Sequence, residues 1–379
     1  MYDIIVVGGG LIGACTAYQL VRRGMKVLLI DRADYGCASD ASAGILSPET
    51  NVRDSPAWID FALKAVRYYD TFIPEIGIDE TGYAKCGLLK VATAEEEPIF
   101  ERAKSIIMER KRSLDLSDDL QEITPDQARE MFPPLVQVAG AIYHRNAARV
   151  DGRLLTRTVI SAAQAQGLQV AHGNADRLLI DHRKVLGVKL ADDSVAAPRV
   201  VIAGGAWSTS FEGDLRVTVP VQPQRGQIIH LTRNDAQTTE WPIVDGFRGH
   251  YMVPWPDHRV VAGATRETGS GFDARITASG VLEVLSEAFR LAPGLATWSV
   301  KEMRVGLRPM SPDGLPILGA APQFDGIYFV TGHGPTGLQL GPYSAKLVTD
   351  LILGRPLDAD ISPFNLSRFF KSTQTNSKS

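Results

Sequence analysis

The chain opens on four consecutive apolar positions, Ile4-Ile5-Val6-Val7. A run without polar alternation is what a strand buried on both faces presents, as in a parallel sheet. A glycine-rich turn follows. Gly13, Ala17, Leu20 and Val21 then recur at helical spacing as far as Gly24, a helix stop. Val27-Leu28-Leu29-Ile30 is a second all-apolar run. Strand, helix and strand within about thirty residues make a βαβ unit, with parallel strands joined by a right-handed crossover.

Further along, the pattern predicts helices over 56–76, 95–112, 151–166, 279–291 and 336–353, and a capped helix start at Thr124-Pro125-Asp126. Extended segments are predicted over 168–172, near Leu178, Val185 and Val200, and over 327–330. Segments 224–232, 251–254 and 260–265 read as antiparallel sheet. The βα character sits at the start, middle and end, with the antiparallel character between. This is an α/β chain, α+β overall, in which one nucleotide-binding domain is assembled from residues 1–80, 150–215 and 305–370. A second domain, residues 81–149 and 216–304, is inserted into it. Residues 371–379 are small and polar and read as a disordered tail.

The turn after the first strand, Gly8-Gly9-Gly10-Leu11-Ile12-Gly13, matches G-x-G-x-x-G. Gly8 permits the tight turn, Gly10 lets a pyrophosphate approach the backbone, and Gly13 lets the helix pack closely on the sheet. The amides at the helix start face the phosphates. Asp31 ends the second strand, 18 residues past Gly13, where a carboxylate accepts from ribose hydroxyls. It would repel a 2′-phosphate, so NADP is disfavoured, and FAD and NAD stay open.

Composition narrows the setting. Apolar residues make up 44% and charged residues 22%, which fits a globular chain. The net charge of −3 offers no basic surface for nucleic acid. Cys15, Cys37 and Cys86 are spaced by 22 and 49 residues, which fits neither a disulfide framework nor a zinc site. The most apolar stretch, 4–20, is broken by glycines and polar residues and reads poorly as a membrane span. The expectation is a cytoplasmic protein.

Four ordered motifs then separate FAD from NAD. They are Ala38-Ser39-Asp40-Ala41-Ser42-Ala43-Gly44-Ile45, Val200-Val201-Ile202-Ala203-Gly204-Gly205-Ala206-Trp207-Ser208, Gly306-Leu307-Arg308-Pro309 before Asp313-Gly314-Leu315-Pro316, and Thr331-Gly332-His333-Gly334-Pro335-Thr336-Gly337-Leu338. In these the chain resembles the D-amino acid oxidase-like flavoproteins, which include glycine oxidase, sarcosine oxidase and D-amino acid dehydrogenase. The resemblance runs to about Pro356. It implies a Rossmann-like FAD-binding domain of the glutathione-reductase type with an inserted, mainly antiparallel substrate domain. It assigns cofactor contacts to Gly8, Gly10, Leu11, Ile12, Gly13, Asp31, Arg32, Ala38, Ser39, Ala43, Gly44, Ile45, Ala175, Gly204, His333, Gly334, Pro335, Thr336, Gly337, Leu338 and Gln339. In the C-terminal turn a helix N-terminus faces the flavin pyrimidine, where reduced flavin carries negative charge.

The family transfers a hydride from the carbon bearing an amine to flavin N5, and the imine then hydrolyses. The resemblance makes Arg308 the carboxylate-binding residue, a task suited to a guanidinium fork. Tyr251 either lines the substrate pocket or is an ordinary sheet tyrosine. Arg266 either faces the pocket, which would fit a second acidic group on the substrate, or points to solvent. Glycine oxidase carries a second arginine in its C-terminal turn where this chain has Pro335. The sarcosine oxidases attach flavin through a cysteine just before a segment like Met310-Ser311-Pro312-Asp313, and here Gly306 precedes it. The expected cofactor is therefore noncovalent FAD. Expected partners are a small amine or amino acid and an electron acceptor, oxygen or another, with homo- or hetero-oligomers left open. The readings that compete are an oxidase or dehydrogenase of glycine, an N-alkyl glycine or a D-amino acid; a subunit passing electrons to a quinone or partner; and an NAD-dependent dehydrogenase.

Overall fold

A computed structural model describes residues 1–52, 55–76, 81–114, 116, 119–191 and 193–370. The tail expected over 371–379 and the domain boundary expected at residue 80 lie outside them.

The first strand, Ile4–Val7, pairs in parallel with Val27–Asp31 on one side and Val200–Ile202 on the other. Gln169–His172 continues the sheet beyond Val27–Asp31, and Ile327–Thr331 continues it beyond Val200–Ile202. Ile317–Ala320 closes that edge as its antiparallel strand, giving six strands in all. Helices Leu11–Val21, Pro56–Glu75, Gly152–Ala165 and Gly337–Ile352 supply a core against one face, around Tyr18, Trp58, Phe61 and Tyr69. A second core, with Ile202, Phe211, Phe329 and the hairpin strands Arg177–Asp181 and Lys184–Lys189, covers the other. All-apolar strands in a sheet covered on both faces follow from this layering.

Helix ends sit where the polar residues allow. The Asp151 carboxylate accepts from the amides of Arg153 and Leu154 at the start of Gly152–Ala165. Thr124 caps the expected helix start, and with Gln127 it forms a capping box. The helix expected from residue 95 begins at Glu97, after a short 3₁₀ turn capped by Thr93 and Glu96.

The inserted part is built on a nine-stranded sheet. Its long strand Gln222–Thr232, next to one edge, is flanked by Arg259–Gly263 and Glu267–Thr268 on one side and by Ser299–Met310 on the other, all antiparallel. The pairing is mainly antiparallel, with one parallel contact between Ile243–Asp245 and Leu88–Ala92. Helix Ala278–Leu291 packs on one face over Ile229, Leu231 and Ala262. The other face carries Ile228, Val253, Trp255 and Val261, and meets Ala43 and Ile45 of the small-residue segment. Ser299–Met310 was not expected as a strand. It lies at an edge of this sheet and alternates charged residues with apolar ones, as edge strands do. No helix among the described residues is long and apolar enough to cross a membrane.

Candidate active site

A cleft with about 1850 Å³ of empty space, open mouth included, runs between the two sheets. Its dinucleotide end is built by the first βαβ unit. Gly8 sits at φ +106°, in the region that favours glycine, and turns the chain off the first strand. A Cβ on Gly13 would overlap the Gly8 carbonyl, so the helix packs directly on the turn. One Asp31 carboxylate oxygen accepts from the Gly9 amide at 3.0 Å and the other from the Ala33 amide at 3.2 Å, which fixes the acid against the glycine turn. The Leu11 amide, at the helix start, donates to Ser39 Oγ at 3.1 Å. A Cβ on Gly10 would meet only side-chain atoms, Ser39 Oγ and Cys37 Sγ, at 3.4 Å or more. Arg32 lies over the Trp207 ring at 5.6 Å, and Ala175 and Gly204 line the same end.

At the other end, the 3₁₀ turn Gly334–Thr336 leads into helix Gly337–Ile352. His333, Gly334, Pro335, Gly337 and Leu338 line the cleft there, opposite Ala38, Ser39 and Ala43. The His333 imidazole is fully buried, with Nε2 3.0 Å from Ser344 Oγ. Burial holds its pKa down at about 3, so the ring is neutral.

The substrate-domain wall holds Arg308, Tyr251, Arg266 and Gly226. Arg308 Nη1 donates to the Thr265 carbonyl at 2.8 Å and to Gln224 Oε1 at 3.2 Å. A Cβ on Gly226 would overlap the same guanidinium. Arg266 is built alike: Nη1 donates to the Gly249 carbonyl at 2.6 Å, and a Cβ on Gly249 would collide with it. Among the described residues, neither arginine has a carboxylate within 4.0 Å. Tyr251 stands beside both. Burial raises its phenol pKa, and the Arg308 and Arg266 charges oppose the rise. Burial lowers the Arg308 pKa, with the nearby Arg266 charge adding to the effect.

The structure therefore brings Arg308, Tyr251 and Arg266 to one wall, and Arg266 lines the cleft. Five of the expected cofactor positions do not line it. Gly13 packs behind the turn, and Gly44 lies against the Val150 carbonyl. Ile45 pairs with Arg149 in a small sheet. Thr336 donates its hydroxyl to the His333 carbonyl, and Gln339 is buried in the helix. Residues not assigned beforehand also line it, among them Gly226, Gly306, Trp207 and Cys37. Gly226 carries a signal that sequence offers: a glycine inside a strand often marks close approach of a ligand or backbone. Cys37 is far from Met310 in sequence, yet its backbone bridges to Leu307. Proximity along the chain was a poor guide to which thiol is near.

Such a cleft fits a flavin dinucleotide. An acid fixed at a glycine turn and helix starts at both ends are what a dinucleotide cofactor needs, the arrangement of a nucleotide-binding enzyme. The family model described as FAD dependent oxidoreductase, DAO, matches residues 3–351. The chain belongs to the DAO family of FAD-dependent oxidoreductases, and it is an FAD-dependent enzyme. It is 36% identical to the uncharacterized oxidoreductase YurR of Bacillus subtilis, over 96% of this chain and 98% of that one. It is 31% identical to the glycine oxidase of Geobacillus kaustophilus, over 97% of each chain. The solved iminodiacetate oxidase IdaA of Chelativorans sp. BNC1 superposes with a TM-score of 0.91 at 35% identity, covering 96% of this chain and 98% of that one.

Proposed function

We propose that the chain oxidises a small amine that carries a carboxylate on the carbon next to nitrogen, and that its preferred substrate bears a second carboxylate across the amine, as an N-carboxymethyl glycine does. The observation that carries this reading is the pair of cations, Arg308 and Arg266, on one cleft wall without carboxylate partners among the described residues. The absence of a cation at Pro335 removes one support for glycine itself. The resemblance to an iminodiacetate oxidase as well as to a glycine oxidase supports the same reading.

FAD, when bound, accepts the hydride from the carbon that bears the amine. The chain's own part is binding and orientation. Arg308 holds the first carboxylate as a charge-assisted contact, at an orientation fixed by Thr265 and Gln224. Arg266 receives the second at the mouth. Tyr251, backed by the buried Ile228 and Ala264, lines the amine side and limits water. The oxidised amine then takes up water outside the wall and splits into a carbonyl compound and the smaller amine. With three unpaired cysteines, we place the enzyme in the cytoplasm.

Anaerobic titration of the flavin absorbance with iminodiacetate, N-methylglycine, glycine and D-alanine tests the reading. Bleaching is expected most readily with iminodiacetate. No bleaching by any of the four refutes it. Mixing the reduced protein with oxygen or a quinone then identifies the acceptor.

A further inference from the structure

The strand Glu267–Thr268 and the helix Ala278–Leu291 are joined by a loop that leaves the substrate sheet and reaches the dinucleotide end of the cleft. Its root is pinned. The buried Arg225 guanidinium donates to Glu267 Oε2 and, through Nη1, to Asp273 Oδ2 at 3.0 Å and the Asp273 carbonyl at 3.2 Å. Ala274 lies against Gly36, at the end of the turn that carries Arg32. The tip turns on two glycines, with Ser270 Oγ accepting from the Arg225 amide at 3.3 Å. Gly269 and Gly271 stand at φ +84° and +57°, and open space surrounds the position of a Cβ on either. The tip carries one large apolar side chain, Phe272. Its ring lies 5.6 Å from that of Trp207 at 30°, and Arg32 lies over the same indole. Trp207 and Arg32 line the cleft beside Asp31. Phe272 is 50% exposed, and through Trp207 it stands next to this end.

We propose that Phe272 is a clasp from the substrate domain that closes over the adenine end of bound FAD through Trp207, and so sets how firmly the cofactor is held. The inference rests on the family's FAD dependence and not on the proposed substrate, so its test needs no substrate. A ring added to an aromatic stack contributes to binding without touching the reacting carbon. The arrangement predicts an effect on cofactor retention that is separate from turnover.

The test compares the parent enzyme with Phe272→Ala, Phe272→Tyr and Asp273→Asn. FAD release is followed by the recovery of flavin fluorescence, and AMP and FMN binding to the apoproteins by calorimetry. Phe272→Ala is expected to weaken FAD and AMP binding by about 2- to 12-fold, the factor for one aromatic pair, with FMN binding unchanged. Phe272→Tyr should keep parental affinity, and Asp273→Asn should loosen the root and weaken AMP binding in the same direction. Equal FAD and AMP affinities in Phe272→Ala and parent overturn the proposal. So does a loss of FMN binding as large as that of AMP, or a loss that tracks a fall in apoprotein melting temperature.

Discussion

Replacing Arg308 probes the substrate wall most directly. Its Nη1 is occupied by Thr265 and Gln224, which leaves the rest of the fork, against the bare Cα of Gly226, for a substrate carboxylate. A hydrogen bond to a charged group contributes about 1.5–3 kcal/mol. Removing the fork in Arg308→Ala should therefore lower kcat/KM by about 10- to 150-fold. Arg308→Lys keeps the charge but has a single donor centre, which cannot both serve Thr265 and present a planar fork, so its loss should be smaller. The Thr265 carbonyl and the Gln224 amide lose a donor in the alanine variant, costing about 1–3 kcal/mol of stability. Melting temperature must therefore be read beside kinetics. Steady-state rates with iminodiacetate and N-methylglycine, at saturating FAD, provide the assay. A folded Arg308→Ala protein whose kcat/KM for both stays within threefold of the parent would refute the assignment.

Four further outcomes are expected. Arg266→Met should lose up to about fivefold in kcat/KM for iminodiacetate and nothing for N-methylglycine, because this exposed cation meets only the second carboxylate; equal losses on both substrates would contradict this. Gly226→Ala should lower kcat/KM by no more than Arg308→Ala does, up to about 150-fold, while the flavin spectrum persists, since the new Cβ would displace the Arg308 guanidinium; parental activity would show the wall yields. Acid precipitation should release all the flavin, because burial pushes the Cys37 thiol up to about 11 and leaves a poor nucleophile; flavin retained in the pellet would overturn it. Buried Glu49, 3.8 Å from His144 and near Arg67, Arg110 and Asp119, is pushed up to about 7, while burial pushes His144 down to about 4. The raised carboxyl gives stability that is lost as pH rises from about 4.5 to 7, and the lowered imidazole gives stability that is lost as pH falls from about 6.5 to 4. In the parent the two slopes oppose. Relative to it, Glu49→Gln should lose stability toward low pH and His144→Asn toward high pH; denaturant midpoints that move in the same direction would refute the coupling.

The first βαβ unit was legible because its signals are local. Four apolar residues, a glycine turn and an acid on the next strand specify each other within thirty-one positions. Arg308 and Tyr251 were legible through motif resemblance, and the structure sets them on one wall. The supports of Arg308 were not. Thr265 and Gln224 lie 43 and 84 positions away, and only the pairing of Gln222–Thr232 with Ser299–Met310 brings Gln224 close. Neither periodicity nor composition encodes that register. The strand Ser299–Met310 itself escaped notice because an exposed edge carries Lys301, Glu302 and Arg304, which weaken the apolar pattern. Phe272 was invisible for a related reason: its partner Trp207 sits in the distant 3₁₀ helix Gly205–Phe211, and a loop aromatic has no period.

The six-stranded sheet has a consequence for how the enzyme is made. Its first strand, Ile4–Val7, finds a neighbour on one side at once, in Val27–Asp31, but waits for Val200–Ile202 on the other. That strand in turn waits for Ile327–Thr331. During synthesis the glycine turn emerges early and faces a half-built sheet until the chain is nearly complete. Such distant pairings carry a loop-closure cost and slow the search for the native state. Cofactor loading is therefore a late event, and ribosome-bound chains cut short of residue 327 would leave FAD in solution however well their first thirty-one residues fold.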